Sequence, residues 1–417
     1  MSLIIRNARI IEAKNSFHNQ IVDIKISNGT IEKIGNSIQS QDGFQEIELP
    51  NLHVSAGWFD TSASLGEPGY EERETIANGL QVAARSGFTG IALQPNSQPV
   101  IDNQSQVHFV RQKAHGFATA LYPIGALTKN SDGVELAELF DMKNAGAVAF
   151  GDYNKSLDNA NLLKIALQYT QDFEGTVIAF SQDNHIKGKG IVNEGITSTQ
   201  LGLKGIPALA EELIIARNLF ILEYTGGKLH IPTLSSAKSV ALVREAKSKG
   251  LQVTCSVAVH QLVFTDDVLN GFDANYRVSP PLRTEADRKA LIEGVLDNTI
   301  DCITSDHNPI DIEHKKLEFD LAKNGTVGLE SAFGALQTVL PTEVIISKLT
   351  SGRSVLGLPE VTVSEGQQAN LTLFNPEGQW TFETANLLSK SKNSAFLGSN
   401  MQGKVYGIYN QQQLELQ

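Results

Sequence analysis

The stretch Gly57-Trp-Phe-Asp-Thr-Ser-Ala-Ser-Leu-Gly-Glu-Pro-Gly69 ends a short apolar run over residues 54–61 and empties it into a turn rich in glycine and proline. An acidic helix start, Glu71-Glu72-Arg73-Glu74, follows at once. A strand that runs into a loop and then a helix is how a (β/α) barrel presents chemistry at the carboxyl-end rim of its strands.

Downstream the pattern repeats. Helical stretches over 72–85, 104–114, 134–144, 159–171, 207–224, 236–248 and 285–297 are each followed by an apolar run, at 90–94, 118–127, 147–150, 176–180, 228–231, 251–257 and 300–305. With 54–61 this makes eight strands in strict alternation with helices, which predicts a parallel barrel over a doubly wound sheet. Both ends read differently. Residues 3–50 form a β-meander of short β-branched runs with a strong turn at Ser27-Asn-Gly29. The same period-2 pattern returns at 369–374, 380–382 and 404–409. The predicted architecture is a (β/α)8 TIM-type barrel over 54–355 with a small composite β-sandwich made from 1–53 and 356–417. Two inserts, 188–205 and 262–283, follow the fifth and seventh strands, where barrels keep substrate loops. An oligomer contact is an equal use for them.

A chain of 417 residues suffices for one large domain and a smaller one. Its 41% hydrophobic and 19% charged residues are ordinary for a globular protein. A net charge of -12 argues against nucleic acid or an anionic membrane as the main partner, and plain solubility explains it. Cys255 and Cys302 are the only cysteines, so no disulfide framework exists, as expected in a reducing cytosol. Residues 1–7 turn polar too quickly for a signal peptide, and the apolar helix 213–224 is interrupted by Arg217 and Asn218 and too short to span a bilayer. A cytoplasmic protein is expected.

The opening stretch resembles the first barrel strand of the dihydroorotases, in the amidohydrolase superfamily, which carries Asp-x-His-x-His-x-Arg-Glu-Pro-Gly. Asp60 and Glu67-Pro68-Gly69 match; the two metal-binding histidines fall on Ser62 and Ser64, and the substrate-binding arginine on Gly66. The later strand ends follow the family in order. Gln94-Pro-Asn-Ser-Gln-Pro99 is similar to Met-Pro-Asn-Thr-x-Pro, with Asn96 at the asparagine that helps hold the substrate carboxylate. Asp152 survives from a pair of aspartates on strand four, and Phe180 replaces the ligand histidine on strand five. Leu229-His-Ile-Pro-Thr-Leu-Ser235 resembles His-x-x-His-x-Ser, keeping His230 but placing Thr233 at the ligand position. Strand seven keeps His260, with Ser256 and Gln261 in place of a glutamate and a second histidine. Ser279-Pro-Pro-Leu-Arg283 puts Ser279 where the substrate-binding asparagine belongs. Thr304-Ser-Asp-His-Asn-Pro309 keeps the catalytic-type Asp306 and His307, and Ile310 replaces the next histidine. With Gly328-Leu-Glu-Ser331 and 366–373 also matched, the resemblance covers nearly the whole chain.

The resemblance implies zinc-dependent hydrolysis of a cyclic amide, the metal lowering the pKa of a bound water. A carboxylate on strand eight would shuttle the proton. All four histidine-ligand positions differ, at Ser62, Ser64, Phe180 and Thr233, so the reading expects the zinc site to be lost and no cofactor to be present. Hydroxyls stay protonated at neutral pH and bind zinc poorly. Asp60, Asp152 and Asp306 leave only hard oxygen donors, with Asp152 a weak candidate for magnesium or calcium. None of the nine histidines lies in a His-x-His or His-x-x-x-His pair; a relocated site would draw on His230, His260 and His307 at the rim. Asp306 by itself reads as a remnant, since a lone base contributes roughly 10²–10⁴-fold, short of what amide hydrolysis demands.

Three functions follow, in order. The first is a catalytically inactive dihydroorotase-like subunit of pyrimidine biosynthesis, with aspartate transcarbamoylase as the partner the family implies and a homo-oligomer expected. The second is a cyclic-amide hydrolase of dihydroorotase or hydantoinase type, with a relocated metal or none. The third is a small-molecule binding module reusing the pocket around Asn96, Phe180 and Ser279.

Overall fold

The computed structural model describes residues 2–40 and 42–417. Five strands open the chain: β1 (Leu3–Ile10), β2 (Ile21–Ser27), β3 (Thr30–Gly35), β4 (Gln45–Ile47) and β5 (His53–Ala56). The β2–β3 hairpin turns on Asn28 and Gly29, both at positive φ (50° and 81°), as a tight two-residue turn requires. Three strands close the chain: β16 (Leu371–Thr381), β17 (Asn400–Asn410) and β18 (Gln413–Leu416). The two groups join in one mixed sheet of order β18-β17-β16-β5-β1-β2-β3, with β4 added beside β1. β5 is the seam. It runs parallel to β1 and antiparallel to β16, where Leu371 faces Ala56 and Phe374 faces His53. The sheet has its own core, including Leu3, Ile24, Val54, Leu371 and Tyr409.

The apolar run 54–61 is not one strand, as the sequence suggests. It breaks at Gly57, where β5 ends and the first barrel strand, β6 (Trp58–Ala63), begins. A Cβ at Gly57 would sit 1.9 Å from Asn370 Oδ1 and 2.2 Å from Thr89 Oγ1, so only glycine lets the chain pass from sheet to barrel.

The barrel continues with β7 (Phe88–Leu93), β8 (Ala120–Gly125), β9 (Ala149–Gly151) and β10 (Thr176–Ile178). The first insert adds a two-stranded parallel ladder, β11 (Val192–Asn193) with β12 (Gly205–Ile206). The barrel then resumes with β13 (Lys228–Ile231), β14 (Val253–Ala258) and β15 (Cys302–Thr304). Its eight strands pair in parallel in chain order, from β6 round to β15. A parallel bridge between Ala63 and His307 brings the ends together, the Ser64 N–H donating to the His307 carbonyl at 2.7 Å. Strands buried on both faces explain why their sequences read as continuous apolar runs.

Eight helices form the outer ring: α1 (Ile76–Arg85), α2 (Gln104–Lys113), α3 (Leu139–Ala145), α4 (Ala160–Tyr169), α5 (Leu209–Thr225), α6 (Ala237–Ser248), α7 (Glu285–Leu296) and α8 (Thr342–Thr350). This is the expected (β/α)8 order. α1 starts four residues later than the acidic run suggests because Thr75 takes the N-cap, accepting from the Asn78 N–H at 3.2 Å. The acidic residues serve the loop instead: Glu74 accepts from the N–H groups of Thr75 and Lys390 at 2.9 Å each. Among the described residues no helix is long and apolar enough to cross a membrane.

Candidate active site at the barrel mouth

Side chains two apart on a strand share a face, so Asp60 and Ser62, with Ser64 just beyond the strand end, all serve the mouth. Asp60 is fully buried and works as a stitch between the first and last strands. Its carboxylate accepts from the Ser62 N–H at 3.1 Å, from the Ser305 N–H at 3.3 Å, and from the hydroxyls of Thr304 and Ser305. Burial raises its pKa, and the bonds from Ser305 and Thr304 oppose that. Ser62 Oγ donates to Asp306 Oδ1 at 3.2 Å and accepts from Gln94 Nε2 at 3.1 Å. Ser64 and Asn96 are bonded to one another twice, Asn96 Nδ2 donating to Ser64 Oγ at 2.8 Å and Ser64 Oγ to Asn96 Oδ1 at 3.1 Å.

Asp152, at the end of β9, is turned away from this group. It accepts from the N–H groups of Leu127 and Thr128 at 3.0 Å each and from Thr128 Oγ1 at 2.7 Å, clamping the loop after β8. Phe180 is buried in the core at the end of β10. His230 Nδ1 lies 2.9 Å from Thr254 Oγ1 and Nε2 lies 3.3 Å from Ser256 Oγ, so the retained histidine pairs across to β14. Ser256 Oγ also accepts from the Thr233 N–H at 3.1 Å. Among the described residues Thr233 Oγ1 and both ring nitrogens of His260 are buried with no hydrogen-bond partner.

Asp306 sits just past β15 with φ 48°. Burial, then the charge of Asp60, pushes its carboxyl up to about 7. His307 Nδ1 accepts from the N–H groups of Gly328 and Leu329 at 3.4 and 3.5 Å, so the ring proton sits on Nε2, which is buried without a partner among the described residues. Burial drops His230, His260 and His307 to about 3, leaving all three neutral. Ser279 lies half-buried in the loop after β14. Two large cavities lie away from these residues. One of about 680 Å³ lies beside Trp380 and Phe333, and one of about 820 Å³ beside Phe272 and Lys392. Neither is lined by Asn96, Phe180 or Ser279, the residues expected to frame a small-molecule pocket.

Residues 53–239 match the Dihydro-orotase-like family profile. A curated protein of Pelotomaculum thermopropionicum named "Dihydroorotase" is 40% identical over 388 residues, 91% of each chain. One of Geobacter sp. with the same name is 38% identical over 98% of each chain. The chain belongs to the dihydroorotase family. The L-hydantoinase of Arthrobacter aurescens superposes with TM-score 0.86 at 19% identity, over 99% of this chain and 95% of that one. The D-hydantoinase of Thermus sp. gives 0.81 at 19% identity, over 100% and 95%. These two establish the shared barrel fold.

Membership corrects one expectation. The sequence reading assigns no cofactor, but the chain lies among cyclic amidohydrolases that depend on a metal, so absence of a cofactor is not a property to assign to it. The side chains present do not fit a histidine-held metal at the family's positions. Two are hydroxyls already bonded to Asp306 and Asn96, one is the Thr233 hydroxyl, and one is the apolar Phe180. Among the described residues no three His, Cys, Asp or Glu side chains converge as a metal-holding group.

Two features of this dihydroorotase-family mouth escape sequence reasoning. A Cβ on Gly66 would lie 1.8 Å from the Tyr70 carbonyl oxygen, so the turn has no room for the family's arginine. Arg283 is a buried clamp between the two inserts, donating to Asn193 Oδ1 at 2.9 Å, the Ile206 carbonyl at 2.7 Å and Ser235 Oγ at 3.1 Å. The retained Pro-Pro-Leu-Arg run marked its position but not its task.

Proposed function

We propose that this chain is a dihydroorotase-family protein that has left the family's catalysis and acts by association, with aspartate transcarbamoylase as the partner that family resemblance suggests. The observation that carries this reading is the pairing of former site positions with each other, Ser62 with Asp306 and Ser64 with Asn96. Groups that would face a substrate are engaged internally, and the arginine position has closed at Gly66. The test is twofold: dihydroorotate ring opening by the purified chain with and without added zinc, and gel filtration with the transcarbamoylase at micromolar concentration. Co-elution without turnover supports the reading. Zinc-stimulated turnover at an enzymatic rate, or clean separation of the two proteins, overturns it.

A second reading is a cyclic-amide hydrolase of dihydroorotase or hydantoinase type, and the comparisons favour it over the first. The curated relatives carry the name "Dihydroorotase", and Asp306, with its pKa near 7, can give or take a proton at neutral pH. Turnover of dihydroorotate or a hydantoin that Asp306→Asn abolishes supports it; turnover unchanged by that substitution points to a contaminant.

A further inference from the structure

The ladder between β16 and β17 is interrupted. Between the pairs Asn375–Lys404 and Gln379–Gln402, the run Pro376-Glu377-Gly378 stands opposite Gly403 alone. Gly378 and Gly403 take φ of 97° and 70° there, and a Cβ on Gly403 would lie 2.7 Å from the Asn375 carbonyl oxygen. A bulge of this kind bends its strand and re-aims the side chains that follow, and bulges gather beside sites. The side chain re-aimed here is Trp380. Its Nε1 donates to the Gly403 carbonyl at 2.7 Å across the bulge. The one polar atom of the indole is thereby satisfied, and the rest of the ring is held in place as an apolar wall.

That wall bounds the cavity of about 680 Å³ beside Phe333. Leu329, Phe382 and Val405 complete the apolar lining, all buried, with Trp380 half-buried at the opening. The lining is supported from behind. Phe333 packs on the rings of Trp58 at 5.0 Å and Phe374 at 5.2 Å, and Phe382 on that of Trp380 at 5.9 Å. A pre-formed apolar cavity of this size falls within the roughly 300–1,000 Å³ that small-molecule sites occupy.

The rim is basic, in a chain whose net charge is -12. Arg85, the last residue of α1, and Lys404 of β17 both line the cavity and are exposed. Among the described residues neither forms an ion pair, and Lys404 Nζ lies 5.1 Å over the Tyr406 ring. Two carboxylates share the lining. Glu330 is engaged, accepting from the N–H groups of Leu388 and Ser389 and from the Ser389 hydroxyl at 2.9 Å each. Glu377 stands exposed on the bulge. Positive charge is therefore in excess where the aromatic lining opens to water.

We infer that this cavity is a ligand site for a flat aromatic ring system carrying one anionic group. The rings lie against Trp380 and Phe333, and the anion meets Arg85 and Lys404. Aromatic faces favour offset or edge-on partners, and a guanidinium fork takes a carboxylate or phosphate through two parallel bonds. The cavity is separate from the barrel mouth, so the inference holds whether or not the mouth turns over a cyclic amide.

Trp58 and Trp380 are the only tryptophans, so the full chain with isotope-labelled tryptophan gives two indole N–H resonances, assigned by Trp380→Phe. Titration with 2-naphthoate should move the Trp380 resonance saturably below about 2 mM, and more than that of Trp58. The neutral counterpart 2-naphthamide should bind at least about tenfold more weakly. Arg85→Glu/Lys404→Glu, at two exposed positions, should weaken the naphthoate at least about tenfold and leave the naphthamide within about twofold. Should that variant lose its circular dichroism spectrum, Arg85→Gln alone gives the same reading. A Trp380 resonance that stays in place up to about 2 mM overturns the inference. Equal affinity for naphthoate and naphthamide, or binding undiminished by the charge reversal, also overturns it.

Discussion

Ser62 Oγ donates to Asp306 Oδ1 at 3.2 Å, joining the first and last strands of the barrel at the point where the family holds metal and base. The bond spans 244 residues of sequence. Among the described residues Ser62 is the one side-chain donor to Asp306, whose burial beside the charge of Asp60 pushes its carboxyl up to about 7.

Asp306 sets a pH dependence of stability. Its folded pKa of about 7 stands above the unfolded carboxyl value of about 3.9. Between these values the native state binds the proton and the unfolded state does not, so its contribution is complete below about pH 4 and is lost as pH rises through 7. Asp306→Asn should remove this loss and be more stable than the parent at pH 8 by on the order of a few kcal/mol, with the gap closing towards pH 4. Urea melts at pH 4 to 8.5 check it; a pH-independent difference refutes it.

The buried histidines act in the opposite direction. His230, His260 and His307 drop to about 3, so the unfolded chain takes up protons below about 6.5 while the native state does not. Stability from these groups is lost as pH falls from 6.5 towards 3. Imidazole NMR should show three rings without titration between pH 5 and 8, with His307 as the Nε2–H tautomer.

Gly66→Arg cannot restore the family's substrate anchor. The new Cβ would stand 1.8 Å from the Tyr70 carbonyl oxygen, so the turn must be rebuilt. A loss of about 1–3 kcal/mol is expected, with no gain in dihydroorotate binding by calorimetry.

Arg283→Ala should free both inserts together. Removing the guanidinium takes the donor from Asn193 Oδ1, leaves the Ile206 carbonyl with the Glu194 N–H alone, and leaves Glu211, 4.0 Å away, without its countercharge. Breaking one half of such a buried network costs on the order of 3–5 kcal/mol. Limited proteolysis should open first within 188–205 and 262–283; an unchanged digestion pattern refutes the clamp.

The barrel was legible because parallel strands buried on both faces must be apolar throughout, and the helices between them alternate without exception. Gly57 was not. An apolar run says nothing about which sheet each half joins, and the need for glycine there arises from Asn370, far along the chain. The helix start was misplaced because charge suggested 72 while Thr75 supplied the cap. At the mouth, motif order singled out Asp60, Ser62, Ser64, Asn96 and Asp306, which the fold brings together, and also Asp152, whose carboxylate serves the loop after β8 instead. What each does instead depends on partners brought together by the fold: Ser64 on Asn96, Ser62 on Asp306, Arg283 on Asn193. Local pattern carries no trace of such pairs.

The β5 seam has a consequence for synthesis. Ala56 waits for Leu371, so roughly 300 residues must leave the ribosome before the N-terminal strands meet their C-terminal neighbour. At about 5–20 residues per second the open edge of β5 stands unpaired for some 15–60 s. An unpaired edge invites pairing with other nascent chains. Premature termination anywhere before β16 makes that exposure permanent, so truncated products of this chain should depend on chaperones far more than the finished protein does.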